Sequence, residues 1–241
     1  MVSGNNSNIG NPEEIMTLSE IARYFKVSDK TILRMVGKGE IPAHKISGQW
    51  RFQRAAIDQW LTAKMRDHSD DDLVGVIQTA PKITPIVKLI PSERIIMNLS
   101  PGDKPHILKQ LIQPLIDGDL LDDPERFLRL LTDREEMGST GIGDGVAVPH
   151  VREQGGCGIR ETSMVLGLNR DGIDFDSLDG EPTFVFMLLC AGSAAEHLRL
   201  LAKSVLMLRQ PGILNEFRRC LDKSEVMDML VKAHFDLSLK F

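Results

Sequence analysis

The chain has 241 residues, of which 42% are hydrophobic and 26% charged, a composition typical of a globular protein with about two domains. Three cysteines, Cys157, Cys190 and Cys220, are odd in number and far apart, which favours reduced thiols in a cytosol over a disulfide framework. The first dozen residues have neither a basic start nor an apolar run, and the longest apolar stretches are too short to cross a bilayer. We therefore expect a cytoplasmic protein without membrane segments.

The formal net charge of −5 is unevenly distributed along the chain. Residues 17–61 contain eight basic and four acidic side chains, about +4, whereas residues 92–241 come to about −7. A basic segment in a chain that is otherwise acidic indicates that only the basic segment binds a polyanion. We expect a disordered segment over residues 1–14, a basic head over 15–63, a linker over 64–91 and an acidic body over 92–241. In the linker, Pro81, Pro85 and Pro91 favour extended chain.

The head has the pattern of two short helices followed by a hairpin. Thr17-Leu-Ser-Glu20 has the form of a capping box, and Ser28 is a good N-cap for a second helix over residues 29–38. A hairpin is predicted around Ser47-Gly48. The first helix should bury an apolar face made of Leu18, Ile21, Ala22 and Phe25. The second should bury Ile32, Leu33 and Val36. A closing helix marked by Ile57, Trp60 and Leu61 should follow the hairpin.

These elements form a helix-turn-helix with a wing, and residues 18–61, including LSEIARYFKVSDKTILRMVGKGEIPAHKISGQWRF, resemble the excisionase-type DNA-binding domains related to MerR regulators. The resemblance implies that three outward residues of the second helix enter the major groove and that three wing residues touch the DNA backbone or minor groove; these are Lys30, Thr31 and Arg34, then Lys45, Gln49 and Arg51. A protein-binding helix-turn-helix with a solvated charged surface remains the alternative. Because one small module contacts few phosphates, we expect a homo-oligomer.

The body alternates helical and strand patterns, which predicts an α/β sandwich. Asp123-Pro124 starts one helix, another is expected over residues 194–208, and Pro114 should end or kink an earlier one. Short apolar runs predict strands over residues 146–148, 164–168 and 183–190.

Two histidines follow two of these strands. His150 ends the glycine-rich segment STGIGDGVAVPH, and His197 lies in the first turn of a helix that starts with a second capping box, Ser193 to Glu196. If the two strands are parallel, both histidines lie at the same edge of the sheet, where α/β proteins bind ligands. Neutral imidazole is a nucleophile toward phosphorus, and Arg134, just before the glycines, could clamp a phosphoryl group.

The segments DREEMGSTGIGDGVAVPH and AEHLRLLAKSV resemble the type-2 enzyme IIA domain of the phosphoenolpyruvate-dependent phosphotransferase system, the mannitol/fructose class and its nitrogen-regulatory relative. The similarity runs over about residues 92–230. It implies a mixed β-sheet sandwich flanked by helices, with His150 as the phosphorylated residue, His197 as a second active-site histidine and Arg134 beside them. The implied partners are a histidine-containing HPr-type phosphocarrier and an enzyme IIB.

The main hypothesis is that HPr-type donation to His150 alters DNA binding by the head, so that the chain is a phosphohistidine carrier rather than a turnover enzyme. Two alternatives stay open: a plain carrier that passes phosphate to an enzyme IIB, and a ligand-responsive transcription factor that is never phosphorylated. No cofactor is expected, since the glycines match neither nucleotide-binding fingerprint. A metal site from His150, His197 and Asp144 lacks ligand-spacing support.

Overall fold

The computed structural model describes residues 15–25, 27–54, 56–57, 60, 84–151 and 158–238. The chain divides into two compact units, Met1–Leu61 and Thr62–Phe241. The segment expected to be disordered, residues 1–14, lies outside the described residues, as does most of the expected linker. Within the described part of the chain, no helix is both long and apolar enough to span a membrane.

The first unit contains two helices and a small sheet. Its elements are β1 (Ile15–Thr17), α1 (Leu18–Phe25), α2 (Asp29–Gly37), β2 (His44–Ile46) and β3 (Gln49–Gln53). Both predicted helix starts are confirmed. The Glu20 carboxylate accepts from the Thr17 backbone N–H at 2.8 Å while Thr17 Oγ1 accepts from the Glu20 N–H at 3.3 Å, and Ser28 Oγ accepts from the Thr31 N–H at 3.2 Å.

The predicted hairpin is β2–β3, and its turn residues Ser47 and Gly48 both have positive φ, 49° and 79°. Two successive positive φ values give the type I′ turn whose twist matches the flanking strands. β1, which the sequence did not predict, pairs antiparallel with β3 and completes the order β1-β3-β2. The wing hairpin therefore supplies the central strand β3 and the edge strand β2 of a three-stranded sheet.

The core of the first unit contains most of the expected apolar residues. Ile21, Ile32, Phe52 and Ile57 are fully buried. The prediction for Leu33 was wrong, because its side chain is 44% exposed. A helix of nine residues has room for only a narrow buried stripe, and Ile32 occupies it. Residues 56, 57 and 60 are helical, in agreement with a closing helix, and Leu61 lies outside the described residues.

The second unit is an α/β sandwich, as predicted. Its elements in chain order are α3 (Ile86–Leu89), a 3₁₀ turn (Ser92–Arg94), β4 (Ile95–Ile96), α4 (Lys104–Asp117), α5 (Pro124–Glu136), β5 (Gly141–Gly143), β6 (Val146–Ala147), β7 (Ser163–Ile173), β8 (Thr183–Cys190), α6 (Ala194–Leu208), α7 (Ile213–Arg219) and α8 (Lys223–Ser238).

Five strands form one mixed sheet in the order β4-β7-β8-β6-β5. The central pair β7–β8 is antiparallel, whereas β6 lies parallel to β8 with Val146 opposite Val185. The first six residues of β7 and nearly all of β8 are buried, and Phe175, just past β7, meets Phe186 of β8 edge to face with ring centroids 5.2 Å apart. This layer arrangement puts the carboxyl ends of β6 and β8 side by side.

The helices of the second unit begin at polar caps. Asp103, Asp123 and Ser193 each accept a backbone N–H of the first turn of α4, α5 and α6. Pro114 was expected to end or kink the first of these helices; α4 continues through it to Asp117, so the proline does not end the helix. The next residue, Leu115, is fully buried, and its burial offsets the hydrogen bond that proline cannot donate.

Residues 84–91 were assigned to the linker by their prolines, and the structure differs here. Ile86, Leu89 and Ile90 are buried, and α3 packs against α8 and β7. The prolines Pro85 and Pro91 flank this short helix rather than keeping the chain extended. The end of the expected linker is therefore part of the second unit.

Candidate functional site

The parallel pairing of β6 with β8 brings the two histidines to one edge of the sheet. Beyond β6, His150 forms a parallel bridge with Leu189, whose N–H donates to the Pro149 carbonyl at 2.9 Å. His197 lies one turn into α6, which follows β8, and its backbone N–H donates to Ser193 O at 2.9 Å. The two imidazole centroids are 4.8 Å apart with a tilt of 54°.

The His150 ring is held by a hydrogen bond within its own segment. Its Nδ1 lies 2.8 Å from the carbonyl oxygen of Val148, and the residue is only 7% exposed. Because a carbonyl can only accept, Nδ1 carries the hydrogen in this contact and Nε2 keeps its lone pair. The nucleophilic nitrogen of His150 is therefore Nε2.

Arg134 faces that nitrogen from the last turn of α5. Its Nε–H donates to His150 Nε2 at 3.3 Å, and its Nη1 donates to the carbonyl of Gly138 at 2.9 Å. Arg134 as a whole residue is only 8% exposed. A buried, always charged fork beside a nucleophile is suited to bind the oxygens of a phosphoryl group.

The start of α6 forms the other wall of the site. Ser193 Oγ accepts from the Glu196 N–H at 3.3 Å, as a capping residue should, and His197 is 5% exposed. The Glu196 carboxylate accepts from Thr162 Oγ1 at 2.6 Å, which ties the helix start to the segment before β7. Half of the predicted capping box is thus present, and Glu196 also has this tertiary partner.

The surroundings lower the pKa of His150 well below its ordinary value. Burial of the imidazole is the main cause, the positive charge of Arg134 and the neighbouring His197 act in the same direction, and the bond to Val148 opposes them. The ring is therefore neutral at physiological pH. Neutral imidazole is the form that can attack phosphorus.

Asp144, the third member of the metal set considered from sequence, lies away from the two histidines. It occupies the β5–β6 turn with φ of 53°, at the beginning of β6, whereas His150 follows its end. Its N–H is bonded to the Asp179 carboxylate at 2.7 Å. The described residues contain no group of three or more candidate metal ligands.

Two residues beside the site, Glu135 and Thr140, were not identified from the sequence. Glu135 is 4% exposed, and its carboxylate accepts from the Thr140 N–H at 2.8 Å and from Thr140 Oγ1 at 2.6 Å. The signal for Glu135 was present, because it lies four residues after Leu131 and thus continues the buried stripe of α5. A charged residue at an apolar position indicates a buried partner.

The head residues singled out for DNA lie on α2 and on the β2–β3 hairpin. Lys30 and Arg34 are exposed on α2, and the Thr31 hydroxyl is 2.9 Å from that of Ser28 at the helix start. On the hairpin, Lys45 lies over the Trp50 ring at 5.6 Å, and Arg51 Nη2 donates to Gln49 Oε1 at 2.7 Å. The exposed members leave charged groups available to a polyanion.

Two family models match separate parts of the chain. Residues 15–65 match the helix-turn-helix domain, and residues 88–233 match the model described as "Phosphoenolpyruvate-dependent sugar phosphotransferase system, EIIA 2". The second match covers more than half of the chain, and the first adds a helix-turn-helix domain of the DNA-binding type.

Known proteins and structures are similar to the second unit. The nitrogen regulatory protein of Pseudomonas aeruginosa is 36% identical over 128 residues, 52% of this chain and 80% of that protein. The fructose-specific EIIABC component of Bacillus subtilis is 28% identical over 149 residues, 61% of this chain, which spans only 22% of that larger protein. The crystal structure of nitrogen regulatory protein IIA-Ntr from Neisseria meningitidis is 26% identical with a TM-score of 0.54, covering 61% of this chain and 99% of that one. The chain therefore belongs to the type-2 EIIA family of the phosphoenolpyruvate-dependent sugar phosphotransferase system.

Proposed function

We propose that the protein accepts a phosphoryl group on His150 from an HPr-type phosphocarrier, and that the phosphorylation state modulates DNA binding by the head. The observation that carries the first part is a buried, neutral imidazole whose Nε2 faces a guanidinium. The matched helix-turn-helix domain and its basic side chains support the second part.

In the transfer, the lone pair of His150 Nε2 attacks the phosphorus of the carrier's phosphohistidine. The new N–P bond forms as the carrier's N–P bond breaks, and the carrier's ring, protonated on its other nitrogen, leaves as neutral imidazole with the electron pair of that bond. His150 keeps the hydrogen on Nδ1, so its phosphorylated ring is an imidazolium whose N–H donates to the Val148 carbonyl. Arg134 then turns its N–H donors from Nε2 to the phosphoryl oxygens, whose negative charge it balances. His197, with its ring 4.8 Å away, holds the other side of the phosphoryl group.

Phosphorylation changes the charge of the acidic body by about −1.5 to −2, by analogy with other phosphorylated residues. Switches of this kind have coupling free energies of about 1–3 kcal/mol, a 5- to 150-fold change in affinity. We further propose that the protein acts in the cytoplasm as a homo-oligomer, with the head over residues 15–63 and its DNA contacts at Lys30, Thr31, Arg34, Lys45, Gln49 and Arg51.

The test is incubation with enzyme I, an HPr-type carrier and labelled phosphoenolpyruvate. We expect label on the wild type and on a His106→Ala control, since His106 is an exposed histidine of the same unit, and none on His150→Ala. Mass spectrometry under alkaline conditions identifies the modified residue. An unlabelled wild type would reject the proposal and favour a ligand-responsive factor.

DNA titrations with phosphorylated and unphosphorylated protein then test the switch. Identical binding curves would rule out modulation while leaving phosphorylation intact.

A second function is favoured by the Bacillus subtilis relative, whose name, fructose-specific EIIABC component, describes a protein that joins A, B and C parts. In this case the body passes its phosphoryl group to an enzyme IIB. Chasing the label from His150 onto an isolated IIB domain distinguishes the two: fast transfer without any phosphorylation-dependent DNA binding would make the protein a plain carrier.

A further inference from the structure

Glu135 is a buried carboxylate at the end of α5 with a full set of partners. Its Oε1 accepts from the Thr140 N–H at 2.8 Å and lies 3.3 Å from Lys104 Nζ, and its Oε2 accepts from the Thr140 hydroxyl at 2.6 Å. Burying a charge is costly unless it is paired and hydrogen-bonded. These contacts therefore hold Thr140, the residue that precedes β5, firmly against the helix.

From Thr140 the contacts continue to the histidine. The Thr140 carbonyl accepts from the Val148 N–H at 3.0 Å, and the Val148 carbonyl accepts from His150 Nδ1 at 2.8 Å. Glu135 is thus connected to the imidazole by three hydrogen-bonded steps, through two residues that flank the β5–β6 hairpin. A displacement of Thr140 would move the Val148 carbonyl and with it the partner of Nδ1.

The neighbouring residue reaches the other ring nitrogen. Arg134 donates to His150 Nε2 at 3.3 Å, while Glu135 supports the acceptor at Nδ1 through Thr140 and Val148. Two consecutive residues of opposite charge on α5 therefore define the environment of both nitrogens of one imidazole. Lys104, which also pairs with Asp176 at 3.0 Å, balances the carboxylate.

We infer that Glu135 is a positioning residue that keeps His150 in the tautomer with hydrogen on Nδ1 and a free lone pair on Nε2. It acts without touching the reacting atoms, by fixing Thr140 and hence the Val148 carbonyl. The inference rests on the proposed function for its purpose, because a phosphoryl acceptor at Nε2 needs this tautomer. The tautomer itself is a property of the unphosphorylated protein.

The test compares Glu135→Gln with Glu136→Gln, its exposed neighbour on the same helix end. The ¹⁵N shifts of the His150 ring in the unphosphorylated protein report which nitrogen carries hydrogen. We expect a single Nδ1–H form in the wild type and in Glu136→Gln, and a mixture of tautomers in Glu135→Gln. Label transfer to Glu135→Gln should be slower by about 10- to 100-fold, the cost of a misplaced reacting group.

Unchanged ring shifts together with an unchanged transfer rate in Glu135→Gln would overturn the inference. If that variant does not fold, Thr140→Val, which lacks the hydroxyl, is compared with Thr140→Ser, which keeps it. Only the valine variant should change the ring shifts; equal shifts in both would overturn it as well. Because the shifts need no donor, altered shifts in a protein that never takes label would reject the proposed function and leave the positioning role standing.

Discussion

The imidazole of His150 has a different neighbour at each ring nitrogen, a carbonyl at Nδ1 and a guanidinium at Nε2. The carbonyl sets which nitrogen carries the hydrogen, and the nearby positive charge discourages a second proton. Both effects have the same consequence, a neutral ring with one available lone pair. The neutral ring predicts a pH dependence of stability, and the guanidinium predicts that the rate of phosphorylation depends on Arg134.

The first is the pH dependence of stability. The folded protein lowers the pKa of His150 below its ordinary value near 6.5, so that below this pH the unfolded chain takes up a proton that the folded chain does not. The contribution of His150 to the free energy of unfolding is therefore complete above pH 6.5 and is lost as the pH falls from there toward the folded pKa. Its slope is at most about 1.4 kcal/mol per pH unit.

Urea denaturation at pH 7.5, 6.5 and 5.5 measures this effect in the wild type and in His150→Gln. We expect the wild type to lose more stability on acidification than the variant, which has no imidazole at this position. Parallel pH curves for the two proteins would contradict the lowered pKa.

The second prediction concerns Arg134→Lys. Lysine keeps the charge but has no planar fork, so it cannot bind two phosphoryl oxygens with fixed geometry. We expect phosphorylation of His150 to be slower by about 10- to 100-fold. Initial rates of label incorporation measure this, and Arg129→Lys, on an exposed position of the same helix, should transfer at the wild-type rate. Equal rates in both variants would show that the charge of residue 134 suffices.

At the scale of elements, the β5–β6 hairpin connects α5 to the histidine and depends on glycine. Gly143 and Gly145 have φ of 92° and 78°, in the left-handed region that L side chains rarely adopt. At Gly145, a Cβ would also lie 2.7 Å from Phe184 Cδ2. The hairpin therefore packs against the beginning of β8 in a way that only glycine permits.

Gly145→Ala should lower the free energy of unfolding by about 2–5 kcal/mol, the sum of backbone strain and overpacking. Gly180→Ala is the matched control, because Gly180 has a similar φ of 75° with nothing within 4 Å of a Cβ, and it should lose only about 1–2 kcal/mol. Urea denaturation of both variants measures the difference. Equal losses would mean that Phe184 moves aside without cost.

The elements that the sequence predicted well are those whose signals are local. α6 begins and ends as predicted because Ser193 caps it and an apolar stripe runs its length, and β8 is a continuous apolar run. β1 was missed because its three residues are held by pairing with β3, some 35 residues away. Likewise β7 continues past Leu168 through polar residues that the apolar pattern did not include. Its far end is held by the pairing of Ile173 with Thr183 of β8.

In the site too, the features with local sequence signals could be predicted and those that depend on long-range contacts could not. The meeting of His150, His197 and Arg134 could be expected from two strand ends and a glycine-rich segment, provided that the strands were parallel, which β6 and β8 are. The contacts of Glu135 with Thr140 and Lys104 could not, since they join α5, the segment before β5 and α4. Tertiary contacts of this kind have no sequence period of their own.

For the whole molecule, the relevant feature is the contrast between a basic first unit and an acidic second unit. Arg34 is exposed on α2 and is a proposed groove residue. Arg34→Ala should weaken binding to a duplex of mixed sequence and reduce the slope of log affinity against log salt by about 1, the value for one lost phosphate contact.

Fluorescence anisotropy at several salt concentrations measures both quantities. Arg219→Ala, an exposed substitution on the second unit, is the control and should leave the salt slope unchanged. A slope altered equally by the two variants would place the DNA contacts outside α2.

His150 is only 7% exposed between α5 and the start of α6, and this burial affects how long a phosphoryl group on it would last. Phosphoramidates decay when water attacks the phosphorus, and Arg134 and His197, which lie beside the His150 ring, would restrict that attack. A phosphoryl group on His150 would remain until a second protein removed it. Its lifetime would be set by encounters with that protein rather than by spontaneous hydrolysis. The proposed gene-regulatory output would then average the supply of phosphate donors over the time between such encounters rather than follow each fluctuation.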